Sequence, residues 1–226
     1  MPSSRSRAVA RRLALVLATL LLPTMSLHAQ QPGAPVLQNG FANPGVTVAV
    51  NYGKGEHSDL LGAALAWSPG KGTFQFSAGA GRLDVDSAGF DPMTTYGLRV
   101  AFPRFGFMGG RVGMAPFIGL GGASGDSTKT LIVPIGVGTG WRMALGSTRA
   151  LSLYATGTYL RTQVTPEAEG QDKQSADLLR FAAAADVTLF RNVGLTLGTE
   201  FGSAADHGAT VPEGTIFGAG LSWRFR

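Results

Sequence analysis

The chain has no cysteine. Neither a lipid-anchored lipoprotein nor a disulfide-stapled secreted domain can be built from it, and stability has to come from the fold itself. After the first 29 residues there is no run of 18 or more apolar residues, which excludes a helical membrane protein. Metal chemistry is poorly served by only 3 histidines among 226 residues. No phosphate loop, zinc pattern or nucleophile elbow occurs, so neither a catalytic nor a metal site, nor any cofactor, is expected. Charge of one sign is also missing once the leader is set aside. Arg5, Arg7, Arg11 and Arg12 precede the apolar run Leu13 to Leu22, and residues 1–29 read as an export signal with cleavage after Ala29. Removing them takes 4 of the 19 basic residues and no acid, leaving 15 against 14. The near-neutral remainder gives no reason to expect nucleic acid as a partner.

What is abundant is glycine, 33 of 226 residues, without the period of three that collagen needs. Residues 30–44 are rich in Gln, Pro, Gly and Asn, lack periodicity and read as a disordered lead-in. From residue 45 to 226 a period of two takes over. Val46, Val48, Val50 and Tyr52 alternate with small or polar residues, as do Leu61, Ala63, Leu65 and Trp67. The glycines then find their place: Val112, Met114, Ile118 and Leu120 oppose Gly113, Ala115, Gly119 and Gly121, and Leu131 to Trp141 oppose Gly136, Gly138 and Gly140. A strand greasy on one face and small or polar on the other needs two environments. In the segment Leu151 to Leu160, Tyr154 and Leu160 fall on the opposite parity and leave its facing open.

Ten such strands can be counted. About ten residues tilted by roughly 40° climb about 25 Å, the height of an outer-membrane apolar band. The last strand ends Gly220-Leu221-Ser222-Trp223-Arg224-Phe225-Arg226, which resembles the C-terminal recognition signal of bacterial outer-membrane β-barrel proteins, apart from Arg226 after the final aromatic. The resemblance covers residues 45–226. It implies an all-β, antiparallel, up-and-down transmembrane barrel in the cell outer membrane, with short periplasmic turns, longer extracellular loops and both termini periplasmic. It further implies outer-membrane lipid and the barrel assembly machinery as partners, the latter reading Gly220, Trp223 and Phe225. Trp67, Trp141 and Trp223 then fall at the periplasmic ends of strands, and Tyr52, Tyr96 and Tyr159 at the outer ends, as two aromatic girdles.

Parity sends Arg99, Arg180, Asp186, Glu200 and Arg224 into the lumen. There they either pair across it or select solutes in a pore. The remaining acids fall in the outer loops or at their edges, leaving only Asp186 and Glu200 within strands. Asp84 and Asp86 with Asp206 and His207 resemble the omptins, ten-stranded outer-membrane proteases; that likeness implies a water activated by an Asp and His pair, although neighbouring Asp and His in a strand point to opposite faces. Asp84, Asp86, Gly89 and Asp91 echo a calcium loop, but Ala88 and Thr95 stand where further acceptors are needed. Pro116 and Pro134 fall mid-strand, each deleting a ladder donor, and a bulge is the expected accommodation. The sequence thus points to a non-enzymatic barrel with a structural or surface-interaction role. A small passive channel for polar solutes is the alternative, and the width of the lumen decides between them.

Overall fold

The computed structural model describes residues 45–56, 58–70, 73–85, 92–103, 105–126, 128–166, 172–190, 192–202 and 215–225. The leader, the lead-in, Asp86, Gly89, Asp91, Asp206, His207 and Arg226 lie outside them. Among the described residues eleven strands follow one another: β1 (Gly45–Lys54), β2 (Ser58–Ser68), β3 (Gln75–Val85), β4 (Met93–Ala101), β5 (Phe105–Phe107), β6 (Val112–Ser124), β7 (Thr128–Ala144), β8 (Ala150–Pro166), β9 (Gln174–Thr188), β10 (Val193–Gly202) and β11 (Ile216–Phe225). Ten of them close a barrel. Each pairs antiparallel with its chain neighbour, β4 pairs directly with β6, and β1 pairs with β11 from Val46↔Phe225 to Lys54↔Phe217. The short β5 continues the line of β4 along the same flank of β6, so β4 and β5 together form one wall position of the ring.

The wall obeys its alternation. Val48, Val50, Leu61, Leu65, Leu98, Ile118, Leu120, Ile135, Leu153 and Leu221 are exposed on the outside, while the residues between them are buried. Val46 and Val48 pair with Phe225 and Trp223, so both ends of the barrel segment lie at one rim, here the terminal rim. Trp67, Trp141 and Trp223 face outward near that rim, and Tyr52, Tyr96 and Tyr159 face outward toward the opposite one.

Beyond Tyr159 the wall does something the alternation did not announce. The strands β7, β8 and β9 run 17, 17 and 15 residues, well past the expected ten. On β8 and β9 the polarity of the faces inverts there, while β7 keeps Leu131 and Val133 on the outside. On β8 the outward set becomes Arg161, Gln163 and Thr165, while Leu160, Thr162 and Val164 turn inward. Tyr154 and Leu160 are both inward, 6% and 1% exposed, which settles the facing of this strand. For the same reason three further acids sit within strands. Asp59, Asp84 and Asp177 belong to β2, β3 and β9, and they pair on the outer surface with Lys54, Arg82 and Arg161 at 3.0, 3.1 and 3.1 Å. A segment that leaves the bilayer but stays in the sheet must exchange its faces, because water now wets the outside.

A bulge stands beside Pro116 and none beside Pro134: on one flank of β6 the register slips by one residue, from Ala101↔Phe117 to Phe105↔Met114, while on the other it is unbroken. Register is constant from Val112↔Trp141 to Ser124↔Lys129, with two rungs missing at Gly119/Pro134 and Leu120/Val133. Those are the two rungs that need the absent N–H of Pro134. The ring finds space because a Cβ on Gly119 would come within 2.8 Å of the Pro134 Cγ. Pro116 lies where β4 ends: its carbonyl accepts from the Phe102 N–H at 2.9 Å, and β4 pairing stops at Ala101↔Phe117. Its missing donor therefore faces the register slip between β4 and β5.

Other glycines act likewise as seats for large neighbours rather than as flexible joints. A Cβ on Gly136 would approach the Phe117 ring to 2.6 Å, and one on Gly202 would approach the Arg180 Cδ to 3.0 Å, with the β9 backbone closer still. On the outside, Tyr96 covers Gly122, its cross-strand partner, in the same way. Backbone freedom is used in the four-residue tip of the β5–β6 hairpin, where Met108 and Gly109 both take positive φ, 51° and 67°.

Candidate functional site

The interior is the place where chemistry could reside. For ten strands about 4.8 Å apart the backbone radius is roughly 10 Å, so side chains decide what remains open. Much of the inner wall is short and hydroxylated: Thr47, Ser77, Thr95, Thr130, Ser152, Thr156, Thr158 and Thr162 are all buried. Into it project a few long side chains, and the glycine seats determine how they lie.

Arg180 on β9 pairs across the ladder with Gly202 on β10, whose missing side chain lets the arginine lie along the wall toward Glu200, two residues away. Its Nε donates to Glu200 Oε1 at 2.9 Å, with the two side chains 1% and 0% exposed. Across the barrel Arg99 on β4 sets its guanidinium 3.7 Å from the centroid of the Phe117 ring on β6, and Phe117 in turn lies over Gly136 of β7. Arg99 is 5% and Phe117 4% exposed. A cation held over a ring in a desolvated site gains about 2 kcal/mol, which explains why an aromatic stands in an otherwise hydroxylated wall.

Nearer the terminal rim is a second group. Thr196 Oγ1 donates to Asp186 Oδ2 at 3.0 Å, and Arg142 and Arg224 lie within electrostatic reach of the same carboxylate. Tyr154 bridges the two levels, within reach of both Asp186 and Arg99. At the opposite rim the lumen is apolar. Ile132, Leu160 and Leu178 from β7, β8 and β9 form one buried cluster; Leu60, Leu83, Met93 and Ala123 from β2, β3, β4 and β6 form another.

The five charges read from parity, Arg99, Arg180, Asp186, Glu200 and Arg224, therefore all lie inside, but in separate groups. Arg142 and Tyr154 belong to the set and were missed. Parity with Gly140 places Arg142 inward, so that signal was present. Tyr154 shares its inward parity with Ser152, Thr156 and Thr158, but a large aromatic among them reads as an outward residue. At the chain's end Gly220 faces inward opposite Asn51, while Trp223 and Phe225 face outward and stack at 6.5 Å. Asp84 points outward into its ion pair with Arg82, away from the lumen mouth. Among the described residues no group of three or more His, Asp or Glu could hold a metal ion.

A closed antiparallel barrel with an outward apolar band, bounded at both rims by aromatic residues, is a small transmembrane β-barrel of the outer-membrane type. Solved structures similar to it include the β domain of the Bordetella autotransporter BrkA (14% identity, covering 81% of this chain and 100% of that one, TM-score 0.49). LpxR from Salmonella typhimurium (10%, 82% and 86%, TM-score 0.45) and the N-terminal β-barrel domain of Pseudomonas aeruginosa OprF (10%, 81% and 98%, TM-score 0.37) are similar too. No protein-family model and no curated protein matches the sequence. The class rests on the wall's own geometry.

Proposed function

We propose that this chain is a non-conducting, non-enzymatic barrel of the outer membrane, with both termini in the periplasm, whose work is done by its surfaces rather than through its lumen. The Arg180–Glu200 pair carries the reading. An ion pair at 2.9 Å with both partners essentially inaccessible to water belongs to a filled interior, not to a wetted pore. The Arg99–Phe117 stack and the two apolar clusters at the far rim point the same way. The inverted faces of β8 and β9 support this orientation: the rim that projects beyond the tyrosines carries outward ion pairs, as a water-bathed extracellular rim would, and the terminal rim is the periplasmic one in this reading. Support for a surface role is that Asp59, Asp84 and Asp177 are engaged in outward ion pairs instead of converging on a cleft. Planar-bilayer recording of the purified chain tests the proposal. Insertion without steady single-channel current is the expected result; a steady ohmic current overturns it in favour of a small channel.

A further inference from the structure

At the terminal rim, between the tip of the β5–β6 hairpin and the β7–β8 turn, lies a half-open cavity of about 820 Å³. Arg111 enters it from the base of the hairpin, Arg142 from the last turn of β7, Arg149 from the β7–β8 turn and Arg224 from the end of β11. Backbone hydrogen bonds hold this frame: the Arg142 N–H donates to the Arg111 carbonyl at 2.8 Å, and the Leu145 N–H to the Arg149 carbonyl at 2.9 Å. Asp186 is the acid near this group, and it faces Arg142 and Arg224. Arg111 and Arg149 are exposed, with no carboxylate within ion-pair distance among the described residues. The lining is therefore strongly cationic. Its lining also includes Trp141 and Met143, which face outward on the opposite side of the wall from Arg142, so the cavity lies at the rim where the luminal and lipid-facing surfaces meet.

We infer that this cavity is a binding site for the phosphate headgroup of an anionic phospholipid from the adjoining leaflet. Guanidinium forks match phosphate oxygens in a bidentate geometry, and here arginines from separate segments line one space. Basic pockets at the membrane boundary hold anionic headgroups on this principle. The apolar shoulder selects a lipid over free phosphate: with the phosphate among the arginines, the acyl chains descend past Trp141 and Met143 along a wall that is already lipid-facing. The site is independent of whether the lumen conducts.

The test is native mass spectrometry of the full chain released from nanodiscs of equal phosphatidylglycerol and phosphatidylcholine. Phosphatidylglycerol is retained preferentially. Arg111→Ala with Arg149→Ala lowers that retention by about ten-fold, at unchanged heat-modifiable mobility. Arg149→Glu alone, in an exposed turn, is the second variant and lowers it in the same direction. Trp141→Ala weakens lipid retention, and excess inorganic phosphate fails to strip the lipid. Equal retention of the two lipids, or retention unchanged in both arginine variants, overturns the site. Complete displacement by inorganic phosphate overturns the lipid assignment and leaves a site for the free anion.

Discussion

Glu200→Gln is the perturbation that tests the interior most directly, since it keeps the shape of the side chain and removes its charge. Two unit charges about 4 Å apart interact by about 4 kcal/mol at an effective dielectric constant of 20. Glutamine retains one acceptor for the Arg180 Nε, worth about 1 kcal/mol. A net loss of about 3 kcal/mol follows, at the lower edge of the roughly 3 to 5 kcal/mol seen when one partner of a buried pair is removed. An exposed pair would lose about 1 kcal/mol or less. Reversible urea unfolding in lipid vesicles, followed by tryptophan fluorescence, resolves these values. The double variant Arg180→Met with Glu200→Leu should recover most of the loss, because a matched apolar pair leaves no stranded charge. A loss below about 1 kcal/mol for Glu200→Gln, together with a steady current, would refute the argument, since the pair would then have to be solvated.

Placed on the lipid face at mid-wall, Ile135→Arg should cost about 2 to 4 kcal/mol in the same unfolding assay, whereas Ile135→Leu should be nearly neutral. Gly136→Val forces the Phe117 ring off its seat and should cost about 1 to 3 kcal/mol, with part of that returned in the Phe117→Ala background; equal costs in both backgrounds would disprove the seat. Removing residues 223–226 deletes two lipid-facing aromatics and three rungs of the closing strand, and heat-modifiable barrel should vanish from outer-membrane fractions.

Much of the wall was legible because a membrane barrel enforces period two strictly. A single misplaced face exposes polar atoms to lipid, so Trp67, Trp141 and Trp223 could be assigned without knowing any contact. Where the outer solvent changes from lipid to water the phase of the pattern reverses, and the same rule then misleads. Leu160 looked like noise because only one phase was expected, and Asp59, Asp84 and Asp177 looked like loop residues because a charged outward position was taken to end a strand. The bulge expected at both prolines is present beside Pro116 and absent at Pro134. Whether a missing donor matters depends on which neighbour it faces, and the Gly119 hole beside Pro134 is a cross-strand fact that sequence order hides. The interior was the least legible part, because parity puts a charge inside but says nothing of its partner. That Arg99 rests on Phe117 while Arg180 reaches Glu200 depends on which wall positions are glycine on strands far apart in the chain.

The seam between β1 and β11 has a kinetic side. It joins Val46 to Phe225, 179 positions apart, whereas neighbouring strands elsewhere meet across short turns. Loop-closure entropy rises with the logarithm of loop length, so drawing these two strands together costs about 2 to 3 kcal/mol more than forming a ten-residue hairpin. The seam therefore forms last. Until it does, the nascent sheet has two open flanks, β1 and β11, each offering an unsatisfied row of amides and carbonyls to any other strand nearby. Synthesis order makes the hazard unequal: β1 waits through the whole of translation and export, while β11 emerges only when the chain that must receive it is complete.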